Sequence, residues 1–100
     1  MAATTSDFSR ALGVFRGEFG ELTTRQLSIL CEIYSSPQQT VKGLAERFAL
    51  GKPTVTRSVD RLELEQLAFR VVDPQDRRMV RISLTSKGQT LMDGVQKALA

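Results

Sequence analysis

The sequence contains no histidine and no tryptophan, and Cys31 is its one cysteine. Without histidine, acid–base catalysis by imidazole and zinc binding are both strongly disfavoured, and a lone cysteine forms no intrachain disulfide. We also find no phosphate-binding loop and no nucleophile–base pair. We therefore expect a protein that is not an enzyme and that needs no metal and no cofactor.

Long apolar runs are also absent. No stretch approaches the roughly 20 apolar residues that cross a bilayer, and residues 1–6 do not begin a secretory signal, which would place a basic stretch before an apolar one. We therefore predict a cytoplasmic protein without membrane contact. Its 100 residues suit one domain, and its hydrophobic fraction of 41% is ordinary for a globular chain.

The positive charge is unevenly distributed. The net charge is +3, and residues 1–50 hold five basic and five acidic residues, whereas residues 51–100 hold nine and six. The second half therefore carries all of the excess, which favours a polyanion as partner. A solvated basic surface is the alternative interpretation of the charge alone.

Five helices are predicted from apolar spacing and capping signals. The first covers residues 6–20, with an apolar stripe that includes Phe8 and Leu12. The second begins at a capping box formed by Thr23 and Gln26 and ends before Pro37. Its predicted inward face consists of Leu27, Leu30, Cys31 and Tyr34. A short third helix is capped by Thr40, a fourth starts at Lys52, and a fifth is capped by Thr85.

A charged turn separates two short apolar runs after the fourth helix. The turn covers residues 73–78, and Val80, Ile82 and Leu84 beyond it alternate as in a half-buried strand. We therefore predict an antiparallel β-hairpin, in a protein that is otherwise mainly α. The first and last helices leave too little chain to cover their stripes, so we expect those stripes to form an intermolecular interface.

A short turn between two helices, followed by a hairpin, indicates a winged helix-turn-helix. Val55, Val59 and Leu62 direct the apolar side of the fourth helix inward, which exposes its hydroxyls and arginines. The helix start offers a positive dipole and amide groups to a phosphate, and an arginine at the hairpin tip suits the minor groove. The predicted DNA-binding residues are Lys52, Pro53, Thr54, Thr56, Arg57, Arg61, Arg77 and Arg78, with Asp76 supporting the Arg78 guanidinium.

Five segments in order resemble the MarR family of bacterial transcriptional regulators. They are LTTRQL (22–27), VKGLAER (41–47), PTVTRSVDRLE (53–63), DPQDRR (73–78) and LTSKG (84–88). The resemblance implies a winged-helix homodimer that binds pseudo-palindromic operator DNA, usually as a repressor. It also implies that Arg78 enters the minor groove with support from Asp76. In the family, small aromatic effectors bind between the dimer helices and the DNA-binding lobe.

Two positions depart from the family pattern. Gly51 lies where a serine often caps the fourth helix, which is the recognition helix of the family, and Gln66 lies where a glycine usually follows that helix. Gln66 must therefore adopt a left-handed conformation, or the turn must differ. Members usually continue past the point that corresponds to Ala100, so dimerisation through short terminal helices, a shortened chain and a different assembly all remain open.

We accordingly divide the chain into three parts. Residues 1–21 and 86–100 are predicted to dimerise, and residues 22–85 are predicted to bind DNA. The predicted function is sequence-specific transcriptional regulation by a dimer, with the fourth helix in the major groove. The alternative is a winged-helix module that binds proteins and does not read DNA. Cys31 is interpreted as a small buried hydrophobe rather than as an oxidant sensor.

Overall fold

The computed structural model describes residues 2–100 and arranges them as helices with a small sheet. Its elements are α1 (Thr5–Phe19), α2 (Thr24–Ser35), β1 (Gln39–Thr40), α3 (Val41–Phe48), α4 (Lys52–Leu64), β2 (Ala68–Val72), β3 (Val80–Leu84) and α5 (Ser86–Leu99). The predicted winged helix-turn-helix class is confirmed. β2 and β3 form the predicted hairpin, with Arg70 opposite Ile82 in the antiparallel register.

The sheet has a third strand that the sequence did not predict. β1 pairs with β3, so that the order is β1-β3-β2, and Thr40 lies opposite Arg81. Two residues are too few to show an alternating pattern, and β1 forms because β3 supplies its hydrogen-bond partners. Thr40 also caps α3, since its Oγ1 accepts the Gly43 amide at 2.9 Å. One residue therefore joins the wing to the helix-turn-helix.

The predicted caps are present at the helix starts. Thr23 and Gln26 form the capping box of α2, with reciprocal hydrogen bonds of 2.9 and 3.1 Å. A second capping box, formed by Thr4 and Asp7, begins α1 and was not predicted. Each box satisfies amide groups that a helix start leaves unpaired, which fixes where the helix begins.

The core lies between α2, α3, α4 and the sheet. Its fully buried side chains are Ile29, Leu30, Leu44, Val55, Val59, Leu62, Leu67 and Ile82. The inward face predicted for α2 is only partly correct, because Ile29 and Ile33 are buried whereas Leu27 and Cys31 are half-buried. α2 is apolar on two sides because it packs against α4 and the sheet on one side and against the terminal helices on the other.

α1 and α5 pack against each other within the same chain. The expectation that their stripes lack cover is therefore partly wrong, since Phe15, Phe19 and Met92 are buried. The start of the α1 stripe does remain open, with Phe8 exposed by 58% and Leu12 by 39%. The Tyr34 hydroxyl donates to Asp93 Oδ1 at 2.9 Å and thereby links α2 to α5.

Candidate nucleic-acid interface

α4 presents its polar side to solvent because its apolar side is completely buried. Val55, Val59 and Leu62 have no exposed surface, and Thr56 and Arg57 point outward. Lys52 and Pro53 are exposed at the helix start, and Thr54 is half-buried. This side of the helix combines hydroxyl groups with cationic groups, the two kinds of donor that bind phosphates and base edges.

The first turn of α4 offers side chains more than free amides. Gly51 caps the helix without a side-chain hydrogen bond. The Thr54 and Val55 amides both donate to the Gly51 carbonyl, at 3.1 and 3.2 Å, and Pro53 has no N–H. Little of the N–H capacity that we expected for a phosphate therefore remains at this turn.

Arg57 lies beside the start of α2. A cleft of about 190 Å³ between the two helices is lined by Thr23, Arg25, Gln26, Thr54, Arg57 and Ser58. Arg25 is exposed, and sequence reasoning did not select it, because it lies two residues after a cap in a segment far from α4 along the chain. The structure brings it to the same surface as Arg57.

Arg61 is less available than its exposed neighbours. Its NH2 group lies 2.9 Å from Glu65 Oε1, and its side chain is exposed by 36%. The pairing directs the guanidinium toward the C-terminal end of α4, away from the turn that holds Lys52 and Thr54. DNA contact by Arg61 therefore stays a prediction that requires this ion pair to open.

The turn of the wing is held by hydrogen bonds among its own residues. The Asp73 amide donates to the Met79 carbonyl at 2.9 Å, and Asp73 Oδ1 accepts the Gln75 amide at 2.8 Å. Asp73 Oδ2 also pairs with Arg81 at 3.1 Å. The Gln75 N–H, followed by the Arg81 guanidinium, lowers the pKa of the Asp73 carboxyl below its usual value.

Asp76 orients the arginine at the tip of the wing. Asp76 Oδ1 accepts from both the backbone amide and the Nε of Arg78, each at 3.1 Å. The Arg78 side chain is nevertheless 91% exposed, so its guanidinium is held in place and remains accessible. Arg77 is exposed as well. This is the geometry predicted for the pair, and its role toward DNA stays a prediction.

A second groove joins α3, α4 and the wing. It has a volume of about 290 Å³ and is lined by Thr40, Val41, Lys42, Lys52, Arg78, Met79 and Val80. Three cations from three different elements therefore border one concave surface, where they attract polyanions together. Lys42 was missed from the sequence, although its position in the first turn of α3, two residues after the Thr40 cap, was available as a signal.

A separate apolar cavity lies between α1, α2 and α5. It measures about 370 Å³, and its lining includes Phe8, Leu12, Leu27, Cys31, Phe48 and Leu99. Burial, with a smaller effect from the neighbouring Glu32, raises the pKa of the Cys31 thiol. The cavity is well suited in size and chemistry to a small apolar molecule.

The region matched by a family model contains the candidate interface described above. The sequence model of the MarR family matches residues 22–80, from the residue before the α2 cap to the first residue of β3. This chain belongs to the MarR family. Its relatives are named as transcriptional regulators and not as enzymes.

Two relatives show the extent of the sequence similarity. The uncharacterized HTH-type transcriptional regulator YsmB of Bacillus subtilis is 34% identical over 74 residues, which are 74% of this chain and 51% of YsmB. The homoprotocatechuate degradative operon repressor of Escherichia coli is 33% identical over 75 residues, 75% of this chain and 51% of the repressor. This chain thus spans about half the length of these relatives.

The structural similarity covers more of the chain. The crystal structure of the S. aureus MepR–DNA complex superimposes with a TM-score of 0.76 and 26% identity, over 94% of this chain and 73% of MepR. The similarity therefore includes the terminal helices as well as the winged helix. No helix within residues 2–100 has the length and apolarity needed to span a membrane.

Proposed function

We propose that this MarR-family chain regulates transcription by binding double-stranded DNA with sequence specificity. The observation that carries the proposal is the Asp76–Arg78 pair, in which Asp76 orients an arginine side chain that is 91% exposed at the tip of the wing. An arginine held in this way suits the narrow, electronegative minor groove over A·T-rich sequence. Arg77, which lies beside Arg78, is proposed to contact the DNA backbone.

The proposal assigns α4 to the adjacent major groove. Thr56 and Arg57 are exposed on its outer side and are proposed to contact base edges and phosphates. Lys52, Pro53 and Thr54 at the helix start are proposed to lie against the DNA backbone. Lys42 and Arg25 are proposed to contact phosphates on either side of this surface. Lys42 lines the groove between α3, α4 and the wing, and Arg25 lines the cleft between α2 and α4.

We further propose that two copies bind a pseudo-palindromic operator. One wing and one recognition helix cover a half-site, and a two-fold dimer matches an inverted repeat. Residues 1–21 and 86–100 are proposed to form the dimer contact, which would cover the open Phe8 and Leu12. A repressor role, in the cytoplasm at the nucleoid, is inferred from the E. coli relative that is named as an operon repressor.

A small aromatic effector is proposed to occupy the apolar cavity between α1, α2 and α5. The cavity volume of about 370 Å³ falls within the range of small-molecule sites. Its lining comes from the terminal helices, from α2 and from Phe48 at the end of α3, so a bound ligand would alter how those helices pack beneath the DNA-binding surface.

The test begins with selection of bound duplexes from a random-sequence pool, in which enrichment of an inverted repeat is expected. Affinity for the selected duplex is then measured against salt concentration. Arg78→Ala should weaken binding and reduce the salt slope by about 0.9, the value for one lost phosphate-neutralising charge. Arg16→Ala removes an exposed arginine from α1 and should leave the slope unchanged. Equal slopes for wild type and Arg78→Ala would contradict the wing assignment.

The alternative function is a protein-interaction module. It is favoured by apolar side chains that the hairpin leaves in solvent, with Phe69 and Val71 each exposed by 42% and Val72 by 52%. A gel shift at low salt with random and with promoter DNA distinguishes the two functions. Binding of neither DNA would favour the interaction module.

A further inference from the structure

Arg70 on β2 reaches across to α4, where it donates to two acceptors and pairs with a further carboxylate. Its NH2 group lies 2.7 Å from Asp60 Oδ1 and 3.3 Å from the Thr56 carbonyl oxygen. Its NH1 group forms an ion pair with Glu63. Residues 56, 60 and 63 are four and three positions apart, so these acceptors form one row along the outer side of α4.

This contact connects the two DNA-binding elements. α4 and β2 are separated by only three residues, 65–67, and β2 forms one strand of the wing. A guanidinium is planar and donates in fixed directions, so two hydrogen bonds and an ion pair from one group restrain the relative orientation of the elements that it joins. The Arg70 side chain is 28% exposed, so water screens its contacts less than those of a fully solvated ion pair.

The same contact changes the electrostatics of α4. Asp60 and Glu63 place two carboxylates on the helix proposed to enter the major groove, where a carboxylate repels the phosphates. Arg70 pairs with both and reduces their repulsion. Arg70 therefore affects the orientation of the wing and the charge of the helix together.

We propose that Arg70 is a positioning residue for DNA recognition. It fixes the angle between α4 and the wing, so that α4 and Arg78 reach adjacent grooves at the same time. This inference rests on the proposed function. The inference goes beyond the proposed function because it assigns to Arg70 an effect that acts through Arg78 and not through a DNA contact of its own.

A double-mutant cycle isolates that effect. Arg70→Lys keeps the positive charge and loses the planar fork, and it is combined with Arg78→Ala. The probe is the duplex selected from a random pool by the unmodified full chain. Arg70→Lys should weaken binding about tenfold when Arg78 is present and less than about twofold when it is combined with Arg78→Ala.

The matched control is Arg47→Lys. The Arg47 Nε lies 3.4 Å from Glu32 Oε1 and links α3 to α2 away from the wing. Its effect on affinity should be the same with and without the Arg78→Ala substitution. Thermal unfolding of each variant confirms that the fold is retained at the assay temperature.

The outcomes separate the two claims. If Arg78→Ala alone leaves affinity unchanged, or if no duplex is selected, the proposed function is wrong and the inference is wrong with it. If Arg78→Ala weakens binding but Arg70→Lys has the same effect in both backgrounds, only the positioning role of Arg70 is overturned. Loss of the Arg70→Lys effect in the Arg78→Ala background supports it.

Discussion

The backbone of Gly88 lies directly against the carbonyl oxygen of Leu67, and a β-carbon at Gly88 would come within 3.0 Å of that oxygen. The same carbonyl accepts the Thr85 amide at 3.0 Å. Thr85 Oγ1 in turn donates to the Gln66 carbonyl at 2.6 Å. The turn that ends α4 is therefore fastened to the first turn of α5, which connects the proposed recognition helix to the proposed dimer helices.

We expect Gly88→Ala to destabilise the protein. The added methyl group would push the rigid Leu67 backbone, and overpacking of this kind costs about 1–3 kcal/mol. The higher helix propensity of alanine offsets about 1 kcal/mol of that cost. Urea unfolding should show a lower midpoint.

The matched control for that substitution is Gly17→Ala in α1. A β-carbon there meets nothing within 4 Å, so the substitution should raise stability by about 0.5–1 kcal/mol. A rise in the unfolding midpoint for both variants would show that the Leu67 contact relaxes at no cost.

Gln66→Gly should stabilise the protein. Gln66 has a φ of 63°, and the left-handed region costs residues with a β-carbon about 1–2 kcal/mol. Glycine avoids this cost but loses more conformational entropy on folding, so we expect a net gain of about 0.5–1 kcal/mol. Gln75→Gly makes the same replacement where φ is not positive and should give no gain. An unchanged midpoint for Gln66→Gly would refute the strain argument.

Local signals predicted most of the fold. The capping box of Thr23 and Gln26, the buried row on α4 and the strand around Ile82 each involve residues within one element, and all are confirmed. Burial in that strand does not alternate as expected, since only Ile82 is buried. Of the two alternatives that the family pattern left for Gln66, the left-handed conformation is the one found. The Asp76–Arg78 contact was also readable, because its partners are two residues apart.

Contacts between distant segments could not be predicted in the same way. The apolar run 68–72 places Arg70 on a strand, but nothing in the sequence indicates that it contacts Thr56, Asp60 and Glu63 on α4. Arg25 and Lys42 reach the candidate site only because α2 and α3 pack beside α4. Both burial faces of α2 likewise depend on what surrounds the helix.

Asp73 should make the stability of the wing dependent on acid pH. Its pKa is lowered by the Gln75 N–H and then by Arg81, so its contribution is present above the unfolded pKa of about 3.9 and is lost as pH falls through the folded value. Asp73→Asn should therefore be less stable than wild type at neutral pH. The difference between their free energies of unfolding, measured in urea, should be smaller at about pH 3. A difference of equal size at both pH values would contradict this.

Cys31 should react slowly with alkylating reagents at neutral pH. Burial and the neighbouring Glu32 raise the pKa of its thiol, which reduces the thiolate fraction that reacts. Alkylation by iodoacetamide, followed by mass spectrometry, should be slower in the native protein than in the same protein unfolded in urea. Equal rates would instead favour a thiol that is activated or accessible, as an oxidant sensor requires.

Tyr34 gives the protein an intrinsic optical reporter. It is the one tyrosine of a chain without tryptophan, so the tyrosine absorbance and emission come from a single position. Its hydroxyl bond to Asp93 raises the pKa of Tyr34, and that bond spans the junction between α2 and α5. Any ligand that loosens this junction would release the hydroxyl and lower the pH at which it ionises. The signal can be followed in unlabelled protein.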